Sequence, residues 1–224
     1  MTRRAGLRRF VDAPNPTSAA QSEPSAPTGP SQPEVEPCEM CGTPAGPEHG
    51  HVVDIENRSL MCACRACYLL FTRSDAGGGR FRAVPDRYRH DPRHPLTKAE
   101  WERLGVPVGS AFFLRGADGV SAFYPSPAGA TECLLDLDAW ASLGIEHPML
   151  AFAEPDVEAI LIHSADDAGD TVECFLVPID ACYELVGLVR MHWQGFDGGQ
   201  EAREHIEAFF SRIRSVAKTF TAEE

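Results

Sequence analysis

Lysine is almost missing from this chain of 224 residues: Lys98 and Lys218 stand beside eighteen arginines. With the load of alanine, glycine and proline, that imbalance reads as codon bias and not as chemistry. Long apolar runs are missing too, since residues 68–71, 111–114 and 159–162 fall far short of the roughly 20 residues a membrane helix needs. No membrane span is expected. The opening MTRRAGLRRFVDAPNPTSAA carries paired arginines but continues polar and Pro-rich where an export signal has an apolar stretch. The expected location is therefore cytoplasmic. Eighteen prolines and nineteen glycines recur at no fixed period, which excludes collagen-like and solenoid architectures.

What is there suffices for one ordinary domain and a smaller appendage, with 43% hydrophobic and 24% charged residues. The net charge of −13 is unevenly spread. Residues 1–36 sum to zero and residues 37–95 to +1, whereas residues 96–224 hold 22 acids against eight bases, or −14. Such a segment repels phosphate backbones, so a nucleic-acid partner is not expected and a basic protein partner is.

Four regions follow from composition. Residues 1–36 are rich in Pro, Ser, Thr, Ala and Gln and bury too little surface to offset their ordering entropy, so a disordered tail is expected. Within it LRRFV at 7–11 is a candidate basic docking segment. Residues 37–72 form a cysteine module, residues 73–95 a linker containing the SDAGGG turn, and residues 96–224 an acidic α+β domain.

In the cysteine module, 51–55 and 59–62 are expected strands around a turn at 56–58. Further on, Thr97 and Glu100 make a capping box before a short helix stopping at Gly105. Residues 111–115 and 120–124 flank a hairpin turn at 116–119, and 132–137 is a third expected strand, with Asp138 capping a helix through Leu143. Residues 157–163 and 171–177 read as a second hairpin. Asp180 is the expected N-cap of a helix carrying Tyr183, Val186, Val189 and Trp193, although a period of two also fits that stretch. Ala202, Ile206, Phe209, Phe210, Ile213 and Val216 share one face of a final amphipathic helix. The expected fold is thus α+β: a small four-cysteine metal ribbon of the zinc-ribbon or rubredoxin-like kind, then an antiparallel sheet with helices.

Eight cysteines are the chemically informative feature, because five of them crowd into thirty positions. Cys38-Glu-Met-Cys41 and Cys64-Arg-Ala-Cys67 are two C-x-x-C pairs with 22 residues between them. Each pair can form a knuckle that aims two thiolates at one ion, and a hairpin can bring both together into a tetrahedral four-sulphur site. Gly42 suits the first knuckle, while Tyr68 in the matching place of the second departs from the pattern. Cys62 is an alternative ligand to Cys64, which is preferred because C-x-x-C is the commoner spacing. Zinc is the expected metal and a single iron the alternative, since sulphur ligation alone does not separate them. A module of about 35 residues is below the size at which a hydrophobic core suffices, so the ion would be its core.

No catalytic constellation accompanies the metal motif. The histidines form no H-E-x-x-H or H-x-E pattern, and no Gly-x-Ser-x-Gly, dinucleotide or phosphate-loop fingerprint occurs. Cys133, Cys174 and Cys182 sit singly among apolar residues, as buried small hydrophobes do. Asp166, Asp167 and Asp170 lack a calcium-loop spacing. The expectation is a non-enzymatic protein.

The run HGHVVDIENRSLMCACRACYLLF after CEMCG, with FLVPIDACYELVGLVRMHW and GFDGG further on, resembles an uncharacterised bacterial family of high-GC Gram-positive organisms. Its genes lie beside those of high-affinity uptake nickel-iron hydrogenases. The resemblance implies an accessory role in hydrogenase assembly, metal-centre handling or electron transfer, with a hydrogenase subunit or its precursor as partner. It carries over no catalytic residues.

Overall fold

The computed structural model describes residues 36–73, 75–164 and 169–222. Residues 1–35, with the 7–11 segment, and Asp166 and Asp167 lie outside them. Among the described residues the fold is mixed α+β, with two sheets and five α-helices.

The first sheet belongs to the cysteine module. Strands β1 (Gly50–Asp54) and β2 (Ser59–Ala63) pair as a hairpin. Asp54 closes the turn by accepting from Asn57 N at 3.2 Å and Asn57 Nδ2 at 2.8 Å. Helix α1 (Arg65–Leu70) follows at once, and β3 (Phe81–Ala83) pairs with the free edge of β1. Strand β4 (Arg89–His90) joins the larger sheet instead. The stretch 73–95, read from the sequence as a linker, therefore contributes a strand to each sheet.

Next along the chain is β5 (Leu96–Thr97), whose Thr97 caps α2 (Lys98–Arg103) in a complete capping box with Glu100. Beyond α2 the chain turns at Gly105 with φ +72°. Strands β6 (Ser110–Gly116) and β7 (Gly119–Ser126) make the expected hairpin. Strand β8 is Gly129–Cys133 and ends where the sequence reading of 132–137 begins. The physical reason is Asp136, whose carboxylate accepts from Asp138 N at 3.1 Å and Ala139 N at 2.9 Å. It makes Asp136, and not Asp138, the N-cap of α3 (Leu137–Glu146), and the intervening Leu134 is 95% exposed, so no burial holds a longer strand.

Strands β9 (Glu158–His163) and β10 (Thr171–Pro178) form the second hairpin and lead into α4 (Ile179–His192). That helix settles the ambiguity of period in favour of 3.6. Its N-cap is Pro178, with Asp180 the second helical residue, and its buried face is Ala181, Cys182, Leu185, Val186 and Val189, leaving Tyr183 and the C-cap Trp193 partly exposed. Helix α5 (Gly199–Val216) buries Ala202, Phe209, Phe210 and Ile213 as its pattern requires, though Val216 is exposed. Strand β11 (Lys218–Thr219) returns to pair in parallel with β4.

The resulting order is β11-β4-β10-β9-β6-β7-β8, with β5 also on β10. Both faces of its centre are covered, which explains why β9 is apolar without alternation. Phe112, Ala159, Leu161, Phe175 and Val177 face α4 and α5, while Phe113, Ile160, Ile162 and Leu176 face Trp101 of α2, Leu143 of α3 and the turn at Met149 and Leu150. Val53 and Val84 join the α4 side of this core, so the cysteine module packs on the sheet domain. No helix among the described residues is long and apolar enough to cross a membrane.

Candidate metal centre

The first cysteine pair sits in a tight turn before β1. Gly42 N donates to Cys38 O at 2.8 Å and Cys38 N to Thr43 O at 2.7 Å. Closing that turn requires Gly42 at φ +74°, a conformation that costs a side-chain-bearing residue roughly 1 kcal/mol or more. The second pair is built differently. Cys64 is the N-cap of α1 with φ −60° and ψ 160°, and Cys67 lies in its first turn. Tyr68 N donates to Cys64 O at 2.9 Å, an ordinary helical bond. A residue inside a helix needs no left-handed conformation, which is why Tyr68 stands where the first pair has glycine. The module is accordingly a knuckle, a hairpin and a helix, and not a ribbon with two equivalent knuckles.

The fold brings Cys38, Cys41, Cys64 and Cys67 together, with all four Sγ atoms within 4.8 Å of one another. A tetrahedral ion with metal–sulphur bonds of about 2.3 Å requires sulphur–sulphur edges of about 3.8 Å. The Cys41 Sγ to Cys64 Sγ distance is 3.8 Å. The donor set thus fits one ion without rearrangement of the backbone. Zinc and iron share this edge length and this ligand preference, so the geometry selects four sulphurs and not the element.

Polar groups around two of the sulphurs, those of Cys38 and Cys64, favour thiolate. Burial works against a charge on Cys38, which is 1% exposed, but backbone N–H groups of Cys64, Cys41 and Met40 reach its sulphur and bring the pKa down to about 6. Cys64 is also lowered, chiefly by the Cys67 N–H, with the Thr43 hydroxyl assisting. Thr43 Oγ1 lies 3.0 Å from Cys41 Sγ. Cys67 is pushed up to about 12 because it shares hydrogen bonds with the other thiols, Cys41 first. Cys41 is exposed, which gives the centre an edge open to solvent.

Cys62 lies outside the group. It sits in β2 opposite His51, its N–H donates to Glu39, and burial with the nearby Glu36 and Glu39 raises its thiol pKa. Cys133 is part-buried, and burial raises Cys174 to about 12 and lifts Cys182 well above the ordinary thiol value.

Residues 37–217 match the family of unknown function DUF5947. The chain belongs to this family. No curated protein and no solved structure matches it. The family match begins one residue before Cys38 and runs through α5, so the four cysteines and the sheet domain are covered together.

In this DUF5947 member the sequence reading missed the groups that hold the centre against the body. His51 Nδ1 and Asp180 Oδ2 of α4 are 2.7 Å apart. The Tyr68 hydroxyl donates to Val84 O at 2.9 Å, and its ring covers Gly50, where an added Cβ would lie 2.4 Å from Tyr68 Cδ2. Arg82 donates to Pro155 O at 2.9 Å and pairs with Glu154, while Arg87 pairs with the fully buried Glu158 at 2.7 Å. None of these contacts was legible in the sequence, because each joins residues that lie far apart along the chain.

Proposed function

We propose that this protein is a non-enzymatic metal-binding accessory factor that assists assembly or maturation of a nickel-iron hydrogenase through protein–protein contacts. The observation that carries the metal-binding part is the group of four sulphurs within 4.8 Å, matched to a tetrahedral ion. Zinc is the metal proposed for it, in a closed structural role that stabilises a module too small for a core of its own. The hydrogenase assignment rests on the resemblance of the CEMCG, MCACRACYLLF and FLVPIDACYELVGLVRMHW segments to a family encoded beside such enzymes.

The test is affinity capture from the native host, with wild-type protein and with the metal stripped by a chelator. Recovery of a hydrogenase subunit or precursor by the metal-bound protein alone is the expected result. Equal recovery without metal, or no hydrogenase component in either eluate, contradicts the proposal.

One observation favours a second reading. The solvent-facing Cys41 suits electron exchange through an iron held as in rubredoxin. A red protein that bleaches reversibly on reduction would select it; a colourless protein containing zinc selects the first.

A further inference from the structure

GFDGG, the motif that the metal centre does not use, builds the short connection between α4 and α5. Gln194 N donates to Gly198 O at 3.1 Å, closing the connection into a tight loop with left-handed Gly195 and Gly198. This closure sets the last turn of α4 beside the first turns of α5. Three metal-ligating side chains converge there. Glu201 and His205, four apart on α5, share one helical face, and His192 reaches them from α4. One ligand atom from each lies within 4.8 Å of the other two.

The three side chains already touch one another in the structure. His192 Nδ1 and Glu201 Oε1 are hydrogen-bonded at 2.9 Å, a few tenths of an ångström short of the roughly 3.3 Å between neighbouring N and O ligands of tetrahedral zinc, so a small opening admits an ion. Gln194 Nε2 donates to Glu201 Oε2 at 3.2 Å, fixing the carboxylate from outside as the outer partners of metal ligands do. The rings of His192 and His205 stack with centroids 3.7 Å apart. Glu201 is 55% exposed and His192 22%, so an ion can enter from solvent. The net charge of −13 raises the local concentration of cations.

We propose that His192, Glu201 and His205 form a second metal site, separate from the cysteines, that takes a divalent cation of borderline character such as Zn2+ or Ni2+. Two imidazoles and one carboxylate suit such ions, and three protein ligands leave a coordination position open to water or to a ligand from a partner. Binding exchanges the His192–Glu201 hydrogen bond for two metal bonds. It also turns the imidazoles out of their stack, because nearly parallel rings cannot aim both lone pairs at one ion. The site rests on none of the cysteine geometry, so it stands or falls apart from the function proposed above.

Equilibrium dialysis of the full chain against Zn2+, with metal counted per chain, tests it. Wild-type protein should bind one equivalent more than His205→Ala or Glu201→Gln, while Cys41→Ser loses the cysteine equivalent and keeps this one. Gln194→Ala should weaken the second equivalent by about 10–100-fold. The ring-proton resonances of His192 and His205 should shift on binding as the stack opens. Unchanged thermal melting of the metal-free variants checks that they fold. Absence of a second equivalent in the wild type up to about 1 mM Zn2+, or its persistence in both His205→Ala and Glu201→Gln, overturns the proposal.

Discussion

Gly50 lacks a side chain because Tyr68 occupies the space one would fill. An alanine there would put its Cβ 2.4 Å from the ring, and the ring cannot swing freely while its hydroxyl is bonded to Val84 O. Gly50→Ala should therefore destabilise the cysteine module by about 1–3 kcal/mol, as overpacking does. Metal affinity should fall with it, measured by competition with a chromophoric chelator; unchanged affinity and melting would show that Tyr68 is not locked. Asp180→Asn makes a milder test at the same scale. It removes the charge opposite His51 and should loosen the module from α4, read as faster amide exchange in β1 with the metal retained.

The residue scale also shows what a linear reading finds. The paired cysteines were legible because both spacings lie within four residues. The sulphurs that lie together are those of Cys38, Cys41, Cys64 and Cys67. By contrast, the helical start at Cys64 was hidden, since α1 is six residues long and too short for a periodic pattern. His192, Glu201 and His205 were hidden for another reason: they sit on two helices, and only the loop between them makes them neighbours.

At the scale of elements, local chemistry fixed what was readable. The Thr97–Glu100 box, the 116–119 turn and the apolar stripe of α5 each lie inside one short window, and each is present. Strands β3 and β4, of three and two residues, offer no periodicity, and β8 is bounded by the competing Asp136 cap. Thr97→Ala should cost about 0.5–2 kcal/mol through loss of the cap, measured by denaturant melting. Glu100 adds a pH dependence. Burial opposes its charge, but the Thr97 hydroxyl and N–H with His147 hold its pKa down to about 2, below the ordinary 4.5. A depressed carboxylate contributes its stability fully above the ordinary value and loses it as pH falls from about 4.5 toward 2. The wild-type advantage over Glu100→Gln should shrink across that window; an advantage that stays constant down to pH 2 would contradict the pairing.

At the scale of the whole molecule, charge and architecture divide the work. The sheet domain holds most of the acidity, and the cysteine module packs on it through Val53 and Val84. A field of −14 over residues 96–224 favours a basic partner surface, and we propose that it steers docking. Association should then slow as salt rises, because screening acts over about 8 Å at physiological ionic strength. Surface-plasmon kinetics at two salt concentrations check this, and an association rate indifferent to salt would remove the electrostatic account.

The central claim is that one ion is held by Cys38, Cys41, Cys64 and Cys67. Its most direct measurement is elemental analysis of protein purified without added metal, side by side with Cys41→Ser and Cys67→Ser. After dialysis that removes weakly held ions, the account predicts one tightly bound zinc per wild-type chain and its loss in both variants, with α5 still folded. A wild-type chain free of metal, or variants that keep a full equivalent, would contradict it.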